Sequence, residues 1–184
     1  MRIAPVSVLT AALAVIGLTA AAAESSTATR ADKIKAAFVL DFARHVLWPQ
    51  EIGSTVRLCT IGADPLADAW DSIAERQVHG RPLEVERDVA LDRIDECLIL
   101  AIGALTAETA VAVNEQASKY PVLTVADDAT PAGVDAILRL KSIDNRLRFD
   151  IDLPDAEQRG LRIAPQLRDL ADNIDGAPND EAGE

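Results

Sequence analysis

Apolar residues recur at Ile34, Phe38, Phe42 and Val46, flanked by Ala37, Val39, Ala43 and Leu47. Steps of three and four place these positions on one side of a helix, so the spacing predicts a helix over 32–47 with a broad buried face. Asp32 can cap its start, and Pro49 ends it near Trp48 by excluding helical geometry from the residue before it. The period then shortens. Residues 56–61 form a brief apolar run that reads as a strand, and the Gly62-Ala-Asp-Pro65 turn leads to a helix over 66–76 with Leu66, Ala69, Trp70 and Ile73 on one face. Alternation over 83–89 predicts a second strand. The continuous apolar runs at 97–102 and 122–125 read as strands covered on both faces, with a helix over 107–118 between them. Farther on, 136–142 and 146–153 flank Asp144-Asn145 as a hairpin. Its second strand puts Leu147, Phe149, Ile151 and Leu153 on one face and Arg146, Arg148, Asp150 and Asp152 on the other. A short closing helix is expected within 161–170. The order predicts an α/β fold: an open, mostly parallel sheet with helices on both faces and a C-terminal β-hairpin, in a single domain.

The two ends read differently. A basic start, an uncharged apolar run from Val6 to Ala20 and Ala21-Ala22-Ala23 before Glu24 have the layout of a secretory signal over 1–23, cut after Ala23. An uncleaved N-terminal anchor is the alternative. Residues 24–31 are expected to be loose, 32–171 to form the domain, and 172–184 to be a disordered acidic tail rich in turn formers. The domain would then be exported.

Charge narrows the partners. Thirty Asp and Glu against eighteen Lys and Arg give a net charge of −12, which repels nucleic acid. In an exported chain, Cys59 and Cys97 are the only two cysteines, and each falls on a strand expected to be buried and neighbouring the other. Oxidising surroundings favour a disulfide between them, with two buried free thiols as the alternative.

Catalytic groups are sparse. His45 and His79 have no metal-ligand companions at useful spacing. No Gly-x-Ser-x-Gly elbow is present, and the turns at Gly62 and Gly103 lack the glycine series of a phosphate loop. Asp127-Asp128 and Asp150/Asp152 do not follow calcium-loop spacing and read as solvated acidic surface. No catalytic residue, metal site or cofactor is expected.

Several segments together resemble the YfiR family of periplasmic proteins: Lys35-Ala-Ala-Phe-Val-Leu-Asp-Phe-Ala-Arg-His-Val-Leu-Trp-Pro49, Leu58-Cys-Thr-Ile-Gly-Ala-Asp-Pro-Leu66, His79-Gly-Arg-Pro-Leu83, Glu96-Cys-Leu-Ile-Leu-Ala-Ile-Gly103, Pro121-Val-Leu-Thr-Val-Ala-Asp127 and Asp144-Asn-Arg-Leu-Arg-Phe-Asp-Ile-Asp-Leu153. The likeness runs from about residue 33 to 171. It departs from the family pattern at Asp41, at Val134-Asp135 in place of a Gly-Gly, and at Asp152. The resemblance implies a Rossmann-like domain and a non-enzymatic repressor. The repressor would hold a membrane diguanylate cyclase inactive through that enzyme's periplasmic segment, with an outer-membrane lipoprotein as the partner that sequesters it. Relatives also occur with sensor kinases, and some form homodimers. Only the pair Cys59 and Cys97 carries over residue by residue; no partner contact does. The alternative function is a periplasmic module that binds a small ligand or cell-wall fragment and feeds a sensor kinase, with its cleft near Gly62 and Gly103.

Overall fold

The segments 56–61, 99–102 and 123–127 are apolar enough to be covered on both sides, and with the more polar segments 81–86 and 138–143 flanking them they assemble as a parallel sheet. The computed structural model describes residues 28–131 and 133–175; the expected signal over 1–23, the stretch 24–27 and the tail beyond 175 lie outside the described residues. The strands are β1 (Val46–Leu47), β2 (Val56–Ile61), β3 (Gln77–Val78), β4 (Arg81–Glu86), β5 (Ile99–Ile102), β6 (Leu123–Asp127), β7 (Leu138–Ile143), β8 (Arg146–Asp152), β9 (Arg162–Ile163) and β10 (Asn173–Asp175). The helices are α1 (Arg30–Arg44), α2 (Ala107–Ala117), α3 (Leu153–Gln158) and α4 (Pro165–Arg168).

The main sheet has eight strands in the order β10-β8-β7-β6-β5-β2-β4-β3. Strands β4, β2, β5, β6 and β7 run parallel, while β8 returns antiparallel to β7. Counted along the chain, the parallel strands stand second, first, third, fourth and fifth, which is a doubly wound order with its reversal between β2 and β5. The expected Rossmann-like open sheet is therefore the observed architecture. Both of its faces are covered. On one, Val39 and Phe42 of α1 meet Leu58, Leu138, Phe149 and Trp70. On the other, Ala110 and Val113 of α2 meet Cys59, Leu100 and Ile102.

The hairpin turns at Asp144 and Asn145, both with positive φ (51° and 58°), as a two-residue connection matched to strand twist requires. Its polar face pairs across strands rather than along one. Lys141 of β7 stands opposite Arg148 and meets Asp150 on the diagonal, while Arg148 reaches Asp172, just before β10, at 3.7 Å.

Three elements differ from expectation. No α-helix forms over 66–76. The segment is a string of turns with one 3-10 turn, Trp70–Ser72. Asp64 accepts hydrogen bonds from the Leu66 amide at 2.9 Å and from the Trp70 indole N–H at 2.5 Å, drawing Trp70 fully into the core. Burial of that one large ring overrides a helical propensity already weakened by Asp68, Asp71 and Ser72. The segment thought loose contributes Arg30 and Ala31 to α1, whose N-cap Thr29 forms a capping box with Asp32. Residues 173–175, assigned to the tail, form an edge strand on β8.

Candidate functional site

In a doubly wound sheet, the natural place for a ligand is the crevice at the strand reversal, above the C-terminal ends of β2 and β5. Here the chain closes it. Ala63 N–H donates to the Ala104 carbonyl at 3.1 Å, and Ala104 N–H returns a bond to Ala63 at 3.0 Å. Gly103 permits this approach, since a Cβ there would lie 2.2 Å from the Ala63 carbonyl carbon. Thr130 adds a hydroxyl bond to the Ile102 carbonyl at 3.1 Å. The cleft expected near Gly62 and Gly103 is thus stitched shut. Gly103→Ala should lower stability by about 1–3 kcal/mol through overpacking, seen as a lower urea midpoint. Gly53→Ala, with nothing within 4 Å of the new Cβ, is the control that should leave it nearly unchanged.

The open site lies farther along the same carboxyl edge of the sheet, beyond β6. The first turns of α1 and the tip of the β7–β8 hairpin diverge, leaving a groove of about 350 Å³ lined by Arg30, Ile34 and Lys35 on one wall and Ser142, Arg146 and Leu147 on the other. Through Lys35 the first wall joins an ion-pair junction of three elements. Lys35 Nζ lies 2.5 Å from Asp127 Oδ2 and 3.5 Å from Asp128 Oδ1. Asp127 ends β6 and also accepts the Ala129 amide at 3.1 Å. Asp128 accepts the Ser142 amide of β7 at 3.0 Å.

Burial works against the Lys35 ammonium, yet contact with Asp127 and then Asp128 holds its pKa above the ordinary value. Burial pushes the Asp127 carboxyl up, helped by its hydrogen bond to Asp128 and opposed by Lys35. The same bond, with the Ser142 amide and Lys35, holds Asp128 down to about 2. The two carboxylates titrate as a coupled pair, and Lys35 opposes protonation of both.

This site corrects two readings. Asp127 is not solvated surface; it is 5% exposed and ion-paired. The buried stripe of α1 runs through Lys35, Val39, Phe42 and Ala43, while Ile34 is 51% exposed. A lysine on the apolar side was the available signal, and it carries weight only once Asp127 is known to face it. Phe38 and Phe42 do pack on the sheet, with rings 4.8 and 6.0 Å from Phe149. Trp48 is half-buried, edge-on to His79 at 6.0 Å. His79 donates from Nε2 to the Val46 carbonyl at 2.9 Å, a structural tie. His45 is exposed at the end of α1, its Nδ1 2.8 Å from the Asp41 carbonyl.

Cys59 on β2 and Cys97 just before β5 are joined in a disulfide, their Cα atoms 5.9 Å apart, within the α2-side core. Among the described residues, no group of three or more His, Cys, Asp or Glu is arranged to hold a metal ion, and no helix is long and apolar enough to cross a membrane.

A family model described as YfiR/HmsC-like matches residues 32–172. No curated protein matches the chain.

Proposed function

The chain belongs to the YfiR/HmsC-like family, and on that premise we propose that it is a periplasmic, non-enzymatic regulator that represses a membrane signalling protein. The finer reading is that the target is a diguanylate cyclase, held inactive through its periplasmic segment so that cyclic di-GMP output falls. Export by a signal removed after Ala23 and capture by an outer-membrane lipoprotein belong to the same reading. The observation that carries it is the family match across nearly the whole described domain.

The mechanism is a population shift. A regulator that touches no substrate acts only through its preference for the inactive form of its target. Moving a target from mostly on to mostly off takes roughly a 10⁴-fold preference, or about 5.5 kcal/mol. That preference has to come from a surface, because the crevice where a sheet of this order would hold a ligand is closed by the Ala63–Ala104 bridge. A competing partner that covers the same surface releases the target by mass action.

Deleting the gene should raise cellular cyclic di-GMP several-fold, measured by mass spectrometry of nucleotide extracts, and expression from a plasmid should reverse it. An unchanged level in the deletion strain would overturn the cyclase reading. A change confined to phosphorylation of a sensor kinase would move the target to that class.

A further inference from the structure

We propose that the outer edge of β8 at Arg146–Arg148 accepts an added strand from an acidic segment of a protein partner, with one apolar side chain of that segment seated in the groove beside α1. This rests on the reading of the protein as a regulator that binds another protein, and not on which protein that is.

The backbone supplies the first argument. Strand β10 covers only the far end of β8, beginning at Asn173 opposite Asp150, and the Asp172 amide donates to the Phe149 carbonyl at 2.8 Å. Phe149 therefore turns its backbone polar groups outward. Polar groups alternate along a strand, so Leu147 turns outward as well, while Arg146 and Arg148 bond to β7. Before Asp172 the chain coils, with Ala171 N–H bonded to Arg168 and Leu170 N–H to Leu167, and so offers Leu147 no ladder. Open strand edges are satisfied most fully by another strand.

Charge and shape supply the second. Acids outnumber bases in the chain, yet every charged residue lining this groove is basic: Arg30, Lys35 and Arg146. Another hollow carries four aspartates beside Arg139, and a third carries Glu51, Asp95 and Glu96 with Arg57. Among the described residues, Arg30 and Arg146 enter no ion pair, whereas Lys35 is held by the carboxylates beneath it. An added strand would place alternate side chains next to Leu147 on the α1 face, where Ile34 lies exposed. Its other side chains would lie beside the unpaired Arg146 and beside Arg148, which Asp172 contacts at 3.7 Å. Acidic residues there give favourable cross-strand pairs.

The test uses the full chain with a synthetic peptide alternating Glu with Val, and a second alternating Lys with Val. Fluorescence anisotropy should show binding of the acidic peptide only, and amide exchange should slow at Leu147 and Phe149. Arg146→Glu should weaken binding about tenfold or more. Leu147→Pro removes the outward donor without touching the β7 ladder, and should bind more weakly than Leu147→Ala. No binding, protection elsewhere, or equal binding by Leu147→Pro and Leu147→Ala would overturn the proposal. In cells, Arg146→Glu should derepress like the deletion. If the deletion derepresses and Arg146→Glu does not, the edge proposal falls and the regulator reading stands. If the deletion itself has no effect, the cyclase-repressor reading falls whatever the peptides do.

Discussion

Replacing Cys59 and Cys97 together by alanine should lower the melting temperature by about 10 °C. Chain-entropy arguments for a crosslink spanning 38 positions give about 4 kcal/mol, and in a domain of this size each kcal/mol is worth about 2–4 °C. The location favours a full effect. The closed loop runs from β2 to just before β5 and contains no α-helix, only short strands and 3-10 turns. It has little local structure to hold it together when the sheet opens. The crosslink sits in the α2-side core beside Leu100 and Ile102, with Cys59 fully buried and Cys97 2% exposed. Unreduced protein, denatured and exposed to a thiol reagent, should yield no labelled cysteine. Two labelled thiols, or a double variant melting within about 2 °C of the natural protein, would remove the crosslink from the account of stability.

Lys35→Met should cost about 3–5 kcal/mol at pH 7, the usual result of breaking a buried ion pair from one side. Asp127 would keep its charge at 5% exposure with only the Ala129 amide and Asp128 for company. The pH dependence identifies the cause. Burial already raises the Asp127 pKa above its unfolded value, and loss of the lysine raises it further. A group raised on folding contributes stability that is present below its unfolded pKa and lost as pH rises through its folded pKa. The variant should therefore regain stability as pH falls from 7 toward 5. The natural protein keeps two favourable terms throughout that window. Lys35 is raised and loses its contribution only in strong alkali. Asp128, held at about 2, loses its contribution only below the ordinary carboxylate range. Urea midpoints of both proteins at pH 5 and pH 7 measure the difference. A deficit that stays the same or widens at pH 5 would show that lost packing by the lysine stem, not a stranded carboxylate, is responsible. Lys35→Met with Asp127→Asn should recover part of the loss, because the uncompensated charge is gone.

Much of the fold follows from local pattern. The strand at 56–61, the helix over most of 107–118 and the hairpin around Asp144-Asn145 lie close to where periodicity and turn chemistry put them. The family can be recognised from ordered short segments, and the cysteine pair from its count and its place on apolar runs. These features depend on neighbours a few residues apart, which a linear reading contains. The helix expected over 66–76 fails because Trp70 answers to Asp64 and the core rather than to its own turn.

The site was less legible than the fold, for a related reason. Lys35 and Asp127 are 92 positions apart, and each alone looks like ordinary surface charge. Only the chain's path, which lays α1 across the end of β6, makes them a buried pair and turns the stripe of α1 so that Ile34 faces solvent. Likewise, Gly62 and Gly103 mark a strand reversal by their positions, but whether that crevice is open depends on a backbone approach between two loops. The sequence by itself determined the α/β class, the order of the central strands along the chain, the cysteine pair and the family. The tertiary structure alone decided which crevice is closed, which groove is open and where a strand edge is left unpaired. Periodicity reports how one segment meets a generic core, whereas burial of a charge or exposure of an edge depends on which distant segment arrives there.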